Sequence, residues 1–234
     1  MRTGVFVQVR LGSTRLPAKA LLPLPGGSVI QHVMRALAPV AADVHALLTD
    51  PASTAKLAPV AEGEGFLLFT GSPEDVLGRF CAASREYGVD RVVRATGDNP
   101  LTCPRLASQI LSIHAERRAD LSHFLGCPWG TGVEVVESRA LFDAERAAAD
   151  PVEREHITTF HYRHPDRFAI VEEQAPAEAH LPDARVTVDT PEDYERVSRI
   201  FQDLYEGSPI GAEAIVRWFG GAGSRGASTG GGAA

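Results

Sequence analysis

The feature that most constrains the fold is an alternation of short apolar runs with longer helical patterns along the first 120 residues. Each run is typical of a buried strand, and the segments between the runs carry apolar residues at helical spacing. The predicted strands span residues 4–9, 43–48, 65–69 and 90–96, and the predicted helices span residues 28–38, 52–61, 73–87 and 104–118. Such alternation is typical of βαβ units. We therefore expect an α/β fold with a mostly parallel central sheet flanked by helices.

After residue 120 the alternation becomes irregular. The predicted strands cover residues 132–138, 168–174 and 184–189, and the predicted helices cover residues 139–149, 151–163, 190–205 and 211–219. The helix over 190–205 has the clearest start, because Thr190 can cap it and Pro191 suits its first turn. We expect a single domain over residues 1–219, with a small insertion or arm at about 120–180.

The last segment, residues 220–234, consists mainly of Gly, Ser and Ala. A segment of this composition cannot bury enough apolar surface to offset the entropy lost on ordering. We therefore predict that this tail is disordered.

The composition limits the class of protein. A formal net charge of −7 is unlike that of a general nucleic-acid binder, which carries a basic face. No segment approaches the roughly 18 consecutive apolar residues of a membrane span. The cysteines, Cys81, Cys103 and Cys127, are odd in number and widely spaced, which argues against a disulfide framework or a thiolate zinc site. We expect a cytoplasmic protein that binds neither nucleic acid nor membranes.

A loop with three cations follows the first predicted strand. It holds Arg10, Arg15 and Lys19 around Gly12 and Ser13. Backbone N–H groups and cationic side chains together suit an anion, and three cations suit a triphosphate better than a single phosphate. The loop lacks the ending of a P-loop and the further glycines of a dinucleotide fingerprint. From spacing alone, a nucleotide-binding loop and an ordinary basic surface loop are equally good interpretations. Without ligand, we expect the three cations to repel one another.

Two aspartates lie where predicted strands end. Asp98 follows one buried strand in a Gly-Asp-Asn-Pro turn, and Asp189 follows another, directly before a helix. The carboxyl edge of an open parallel sheet is where ligands bind, and a carboxylate there can hold Mg²⁺. An Asp-Asn-Pro turn is nevertheless more often only a turn, and an aspartate before a helix can simply cap it. The residues alone leave both interpretations open.

Seven segments of the sequence resemble those of a known protein family. The run QVRLGSTRLPAKALLPL, residues 8–24, resembles the N-terminal signature of cytidylyltransferases of the spore coat polysaccharide biosynthesis type, which are related to CMP-Kdo and acylneuraminate cytidylyltransferases. Further segments are similar to this family, in the family's order, up to about residue 205: GSPEDVLGRF, VVRATGDNPL, VEVVESRAL, EREHIT, HPDRF and RVTVDTPEDYE. One such match would be weak evidence, whereas seven in order are strong evidence.

The resemblance implies a nucleotide-diphosphosugar transferase fold and a dependence on Mg²⁺. It also implies transfer of CMP from CTP, or a nucleotidyl group from another NTP, to a sugar acid, sugar phosphate or phosphonate acceptor, with release of pyrophosphate. Related enzymes commonly dimerise through an arm, and the predicted arm is rich in apolar residues. We therefore expect a homodimer built on Leu141, Phe142, Ile157 and Phe160.

The resemblance also implies the site residues. Three cations would hold the triphosphate during catalysis, namely Arg10, Arg15 and Lys19. Further nucleotide contacts would come from Gly12, Ser13, Ser72 and Asp75. The metal would be held by Asp98 and Asp189, and the acceptor by Glu134, Arg154, Glu155 and His156. The spacing of the histidines in this last region does not match His-Glu-x-x-His, so a zinc site is not expected.

The sequence departs from the family pattern at two positions. The usual Pro-Gly-Lys appears with Ala18 in the middle, which is tolerable if that residue does not need a positive φ. The usual Gly-x-Asp-Val-Glu appears with Gly132 in place of the aspartate, while Glu134 is retained. The missing carboxylate predicts an unusual acceptor.

Three alternatives stay open. The donor can be GTP rather than CTP within the same kind of enzyme. Gly132 suggests a non-catalytic nucleotide-binding module, although the retained Asp98, Asp189 and Lys19 argue against one. A glycosyltransferase of the same fold would carry an Asp-x-Asp metal motif, which the Gly-Asp-Asn-Pro turn lacks.

Overall fold

The computed structural model describes residues 1–221, so the predicted tail lies outside the described residues except for its first two positions. In chain order the strands β1 to β9 are Thr3–Gln8, Pro23–Leu24, Gly27–Ser28, Val44–Thr49, Leu67–Thr70, Arg91–Thr96, Leu121–Leu125, Glu134–Glu137 and Ile170–Gln174. The helices α1 to α9 are Val29–Leu37, Pro51–Gly63, Val76–Tyr87, Pro104–Arg117, Ser138–Ala147, Pro151–Glu155, Thr159–Arg163, Pro191–Leu204 and Ala212–Gly220. In the described part of the chain, every helix is too short or too polar to cross a membrane.

A seven-stranded sheet forms the centre of the molecule, in the order β5-β4-β1-β6-β8-β7-β9. Strands β5, β4, β1 and β6 are parallel, and β8 runs antiparallel to β6 and β7. Alternate residues of β1 enter opposite layers of the core. Val5 and Val7 pack with α1 and α4, whereas Phe6 packs with α3 and α5. The predicted α/β class with a mostly parallel, helix-flanked sheet is confirmed.

The four strands expected before residue 120 are all present, whereas the short strands β2 and β3 were not expected. The single helix expected over residues 151–163 is divided into α6 and α7. The remaining differences concern two strands. Strand β7 was not expected, because its sequence, LSHFL, contains polar residues. One of them, Ser122, is buried inside the sheet. That serine bonds His114 at 2.9 Å, and His114 bonds Glu137 at 3.0 Å, so a buried polar chain replaces the apolar pattern that marks a strand. The opposite error concerns residues 184–189, which alternate like a strand but form only an isolated bridge, from Arg185 to Trp129.

The segment 120–180, expected to be an insertion or arm, contributes β7, β8 and β9 to the central sheet. The apolar residues that suggested a dimer interface are used within the chain. Leu141, Ile157 and Phe160 are buried in the layer formed with α3, and the partly buried Phe142 packs against it. The basis for that interface was therefore wrong, because helical apolar faces in one chain pack first against its own sheet.

The homodimer itself stays a prediction. The exposed large apolar side chains of this region are Trp129, Val152 and Tyr162. We expect light scattering at tens of micromolar to give the mass of a dimer. A monomer at that concentration would contradict the expectation.

His32 gives the fold a specific pH dependence. It lies buried in α1 against the rings of Phe201, at 4.4 Å, and Tyr205, at 5.1 Å between centroids. Burial, assisted by the nearby Arg35, lowers the pKa of His32 to about 4. In the unfolded chain, His32 has its usual pKa of about 6.5 and takes up a proton as the pH falls below that value. In the folded chain it stays neutral until the pH is much lower.

We expect this difference to reduce the free energy of unfolding by about 2 kcal/mol between pH 7 and pH 5, because stability falls wherever the unfolded state binds more protons. His32→Gln should remove that slope and leave the contributions of other groups. Urea unfolding of both proteins at several pH values measures the difference. If the free energy of unfolding depends on pH in the same way for both proteins, the lowered pKa of His32 would be contradicted.

Candidate active site

A cavity of about 930 Å³ opens at the carboxyl ends of β1 and β6. Its volume is that of a site for a nucleotide-sized ligand. Most of the residues predicted to form the site line this one cavity: Arg10, Gly12, Ser13, Arg15, Lys19, Asp98, Glu134, Glu155, His156 and Asp189. The structure thus brings together segments that are far apart in the sequence.

Lys19 lies between the two aspartates. Its Nζ donates to Asp98 Oδ2 at 2.6 Å and to Asp189 Oδ1 at 2.7 Å, and its side chain is only 12% exposed. A backbone bond of 2.8 Å, from Val188 N to the carbonyl of Asp98, holds the two aspartate segments side by side. One ammonium group therefore reduces the repulsion between two neighbouring carboxylates.

Asp189 carries further positive neighbours. Arg15 Nη2 lies 3.2 Å from Asp189 Oδ1, and Arg185 pairs with Asp189 Oδ2. Burial alone would raise the pKa of Asp189, but the hydrogen bond from Lys19 and the charges of Lys19, Arg15 and Arg185 hold it below its usual value. The carboxylate is therefore ionised at neutral pH.

The capping alternative for Asp189 does not hold. Helix α8 is capped by Thr190, whose hydroxyl accepts from Asp193 N at 3.3 Å while Asp193 accepts from Thr190 N at 3.1 Å. This reciprocal capping box satisfies two N–H groups at the helix start without the Asp189 side chain. The carboxylate of Asp189 is left to the cavity.

The expectation that three cations repel one another in the free protein was wrong. Arg10 pairs with Glu155 at 3.1 Å, Arg15 pairs with Asp189, and Lys19 pairs with both aspartates. The sequence did not show these partners because they lie in segments that only the folded chain brings next to the loop. The loop is therefore electrostatically balanced before any ligand binds.

Glu134 is the centre of a second group in the cavity. Its carboxylate accepts from Arg94 at 2.6 Å, from Tyr162 at 2.9 Å and from Thr158 at 3.1 Å. Burial would raise the pKa of Glu134, yet Arg94 and Tyr162 hold it below its usual value. Glu134 is thus an anion that fixes Arg94 and Tyr162 in place, rather than a free acid.

Asn99, next to Asp98, has an amide oxygen that is buried without a hydrogen-bond partner among residues 1–221. Its amide nitrogen donates to Thr96 Oγ1 at 2.7 Å, which fixes the orientation of the group. Nearby, Gly130 adopts a φ of +106°, and a Cβ there would lie 2.9 Å from Thr187 N and 3.3 Å from the Asn99 oxygen. The glycine is therefore required for this close approach.

The geometry agrees with two comparisons to known proteins. The profile of the cytidylyltransferase family matches residues 5–210. The spore coat polysaccharide biosynthesis protein SpsF of Bacillus subtilis is 31% identical over 218 residues, which cover 90% of this chain and 91% of that protein. The chain belongs to the cytidylyltransferase family.

Further known proteins are similar to this cytidylyltransferase. The 3-deoxy-manno-octulosonate cytidylyltransferase of Thioalkalivibrio sulfidiphilus is 37% identical over 143 residues, covering 58% of this chain and 54% of that one. A solved cytidylyltransferase from Leptospira borgpetersenii superposes with a TM-score of 0.87 at 25% identity, over 94% of each chain. The CMP:2-keto-3-deoxy-manno-octonic acid synthetase solved in complex with CTP shares the fold, with a TM-score of 0.68 at 17% identity, over 87% of this chain and 99% of that one. The protein is a nucleotidyltransferase.

Three predicted site residues of this cytidylyltransferase are not among those that line the cavity: Ser72, Asp75 and Arg154. Ser72 Oγ accepts from Asp75 N at 3.0 Å, and Asp75 accepts from Gly78 N at 2.8 Å, so both shape the start of α3. Arg154 pairs with Asp75 and donates to the carbonyl of Glu145 at 2.9 Å. The structure gives these side chains structural partners, and their roles toward ligands stay predictions.

Several cavity residues were not expected from the sequence: Arg79, Arg94, Asn99 and Trp129. Trp129 is 65% exposed at the rim. Arg94 interrupts the apolar run of a central strand, which was a usable signal for a side chain facing a site. The other three follow no local pattern.

Both departures from the family pattern have a structural counterpart. Ala18 adopts a φ of 52°, in the left-handed region, so the condition under which the loss of glycine was expected to be tolerable is not met. At Gly132, a Cβ would lie 3.3 Å from Cys127 Sγ. The aspartate of the family pattern would therefore require Cys127 to move slightly. Cys127 and Gly132 both line the cavity, so its shape here differs from the shape that the family pattern implies.

Proposed function

We propose that this cytidylyltransferase transfers CMP from CTP to a sugar acid, sugar phosphate or phosphonate acceptor and releases pyrophosphate, with Mg²⁺ as its cofactor. The observation that carries the proposal is the placement of Lys19 between Asp98 and Asp189, in the cavity that the cationic loop also lines. A triphosphate needs positive groups, and a divalent cation needs carboxylates next to them. The cavity supplies both.

The residues at this edge fit Mg²⁺. The ion prefers oxygen ligands and usually binds through one or two carboxylates together with phosphates and water. Asp98 and Asp189 supply the carboxylates. The described residues contain no group of three or more His, Cys, Asp or Glu side chains placed to hold a metal by themselves, which agrees with an ion held jointly with substrate. Bound there, Mg²⁺ would neutralise phosphate charge.

The chain's own cations perform the positioning. Lys19 would turn from its carboxylates to the phosphates, and Arg10 and Arg15, each in an exposed ion pair, are free to exchange partners at small cost. An acceptor oxygen would attack the α-phosphorus in line, so that one P–O bond forms while the bond to pyrophosphate breaks. Stabilising the charge that grows on the leaving pyrophosphate is the main catalytic contribution. No protein nucleophile is required.

Incubation with each of the four NTPs, Mg²⁺ and a panel of acceptors, with pyrophosphate as the readout, tests the proposal. We expect release with CTP and a sugar-acid or phosphonate acceptor. Pyrophosphate release with GTP and with none of the other nucleotides would identify GTP, rather than CTP, as the donor. If the protein binds a nucleotide but releases pyrophosphate with no combination of nucleotide and acceptor, the result would instead support a non-catalytic nucleotide-binding module.

A further inference from the structure

Trp129 is an exposed aromatic residue at the rim of the cavity that no step above uses. The residue is 65% exposed, and it lines the cavity. Among residues 1–221, its indole makes no hydrogen bond and no contact with another ring. The second tryptophan of the chain differs, because the indole of Trp218 donates to Asp203 at 2.8 Å and packs edge-on against Phe219. Trp129 therefore leaves an aromatic face open at the cavity.

The backbone that carries this indole is fixed in place. Trp129 N donates to the carbonyl of Ala184 at 2.8 Å, and the carbonyl of Trp129 accepts from Val186 N at 2.8 Å. Three residues earlier, the carbonyl of Gly126 accepts from Leu181 N, also at 2.8 Å. A backbone that is already ordered loses less entropy when its side chain binds a ligand. The exposed indole is thus presented on an ordered loop.

The same contacts place Trp129 close to the proposed metal carboxylates. Gly130, the next residue, approaches Thr187 so closely that a Cβ on it would lie 2.9 Å from Thr187 N. Asp189 follows Val186 by three residues, which is at most about 11 Å of chain. Trp129 and Asp189 both line the one cavity. A single ligand of the size of a sugar can therefore contact both side chains.

Trp129 also lies on the side of the cavity where an acceptor has to enter. The cationic loop follows β1, Asp98 follows β6, and Trp129 lies in the connection from β7 to β8. In the sheet, β6 and β8 separate β1 from β7. In the proposed transfer the pyrophosphate leaves beside the cationic loop, so the attacking oxygen comes in line from the opposite side. Trp129 is on that opposite side.

The indole face favours one class of acceptor over another. The face of an aromatic ring carries partial negative charge, so it attracts C–H groups and apolar surface and repels anionic oxygens. A pyranose ring presents a face of C–H groups. An acyclic phosphonate presents mainly anionic oxygens. The open indole therefore suits an acceptor that contains a sugar ring.

We propose that Trp129 stacks on the sugar ring of the acceptor, which is then a cyclic sugar acid or sugar phosphate and not an acyclic phosphonate. This rests on the proposed function, because the ligand is taken to be the acceptor of a nucleotidyl group. It narrows the acceptor class and assigns one residue to its selection.

Steady-state pyrophosphate release with CTP and Mg²⁺ tests the selection. The acceptors are 3-deoxy-manno-octulosonate, glucose 1-phosphate and phosphonoacetate, so that a sugar acid, a sugar phosphate and an acyclic phosphonate are compared. We expect wild type to have a higher kcat/KM for at least one of the two sugars than for phosphonoacetate. Trp129→Ala should raise the KM for that sugar by at least about tenfold, because the aromatic surface that covers the ring is lost. The kcat and the KM for CTP should change by less than about threefold, as for a residue that contributes binding alone.

Two further variants show whether the aromatic face is responsible. Trp129→Phe should restore most of the affinity for the sugar, because it keeps an aromatic ring. Leu67→Ala is the matched control, because Leu67 is also a large apolar residue, 51% exposed, and is not among the residues that line the cavity. It should leave every kinetic constant unchanged.

Fluorescence gives a measurement that does not depend on turnover. The chain contains two tryptophans, so Trp218→Phe leaves Trp129 as the source of all tryptophan emission. The titration contains Mg²⁺ and a CTP analogue with a methylene group between the α- and β-phosphorus atoms, which prevents release of pyrophosphate. We expect a sugar to shift the emission of Trp129 to shorter wavelength, because stacking removes the indole from water. Phosphonoacetate should leave the emission unchanged.

Three results would overturn the inference about Trp129: an unchanged KM for the sugar in Trp129→Ala, no emission shift with either sugar, or a higher kcat/KM for phosphonoacetate than for both sugars. Loss of dimer mass in Trp129→Ala with an unchanged KM would assign the indole to a contact between copies instead. A wild-type protein that releases no pyrophosphate with any acceptor would count against the proposed function, whereas an emission shift with a sugar would still support the contact with Trp129.

Discussion

Asp98→Asn should lower turnover by about 10²-fold or more at saturating Mg²⁺, because a metal-binding carboxylate stabilises the charge that develops in the transition state. The substitution keeps the size of the side chain and an oxygen for Lys19, which bonds Asp98 Oδ2 at 2.6 Å. The fold should therefore survive, with a melting temperature close to that of wild type. Steady-state pyrophosphate release and thermal unfolding measure the two effects.

Two controls sharpen this result. Asp166→Asn removes an exposed carboxylate outside the cavity and should leave turnover unchanged. Added Mg²⁺ with CTP should raise the melting temperature of wild type more than that of Asp98→Asn, because a ligand that binds the folded state stabilises it. Near wild-type turnover in the variant would remove Asp98 from the metal site.

The second large effect is expected from Lys19→Ala. Turnover should fall by about 10²-fold, because the variant lacks the ammonium group that we propose contacts the triphosphate. Stability should also fall in the absence of Mg²⁺, because Asp98 and Asp189 then face each other without the ammonium that lies 2.6 and 2.7 Å from their oxygens. This differs from the expectation for a loop of mutually repelling cations, whose removal would leave stability unchanged or slightly higher.

Mg²⁺ should restore part of the lost stability of Lys19→Ala, because the cation can take over the neutralisation of the two carboxylates. The exposed Lys56 offers the matched control, and Lys56→Ala should change neither turnover nor the response to Mg²⁺. Calorimetric unfolding with and without Mg²⁺ separates the cases. A variant as stable as wild type in the absence of metal would show that Lys19 does not hold the aspartate pair together.

Local sequence patterns were enough for the central-sheet strands of the first half of the chain. The strands that became β1, β4, β5 and β6 were predicted from their apolar runs, since a strand buried on both faces needs a continuous apolar sequence. The same reasoning placed Asp98 at the carboxyl edge of the sheet, where the structure puts it. Strand β7 was not predicted, because the buried partners of its polar residue Ser122 lie in other elements. Ser122 bonds His114, and His114 bonds Glu137, so the sequence of β7 resembled that of an exposed segment.

The sequence by itself determined which residue types stand at the cavity: a cationic loop after β1 and an aspartate after each of two apolar segments. Only the tertiary structure decided how they pair. Lys19 meets carboxylates 79 and 170 positions away, and the bond from Val188 N to the carbonyl of Asp98 sets those carboxylates side by side. Arg79 likewise looked like an ordinary helix residue until folding buried it beside the cavity. Periodicity reports the environment of each segment alone, whereas ion pairing and burial depend on which distant segments share one edge of the sheet.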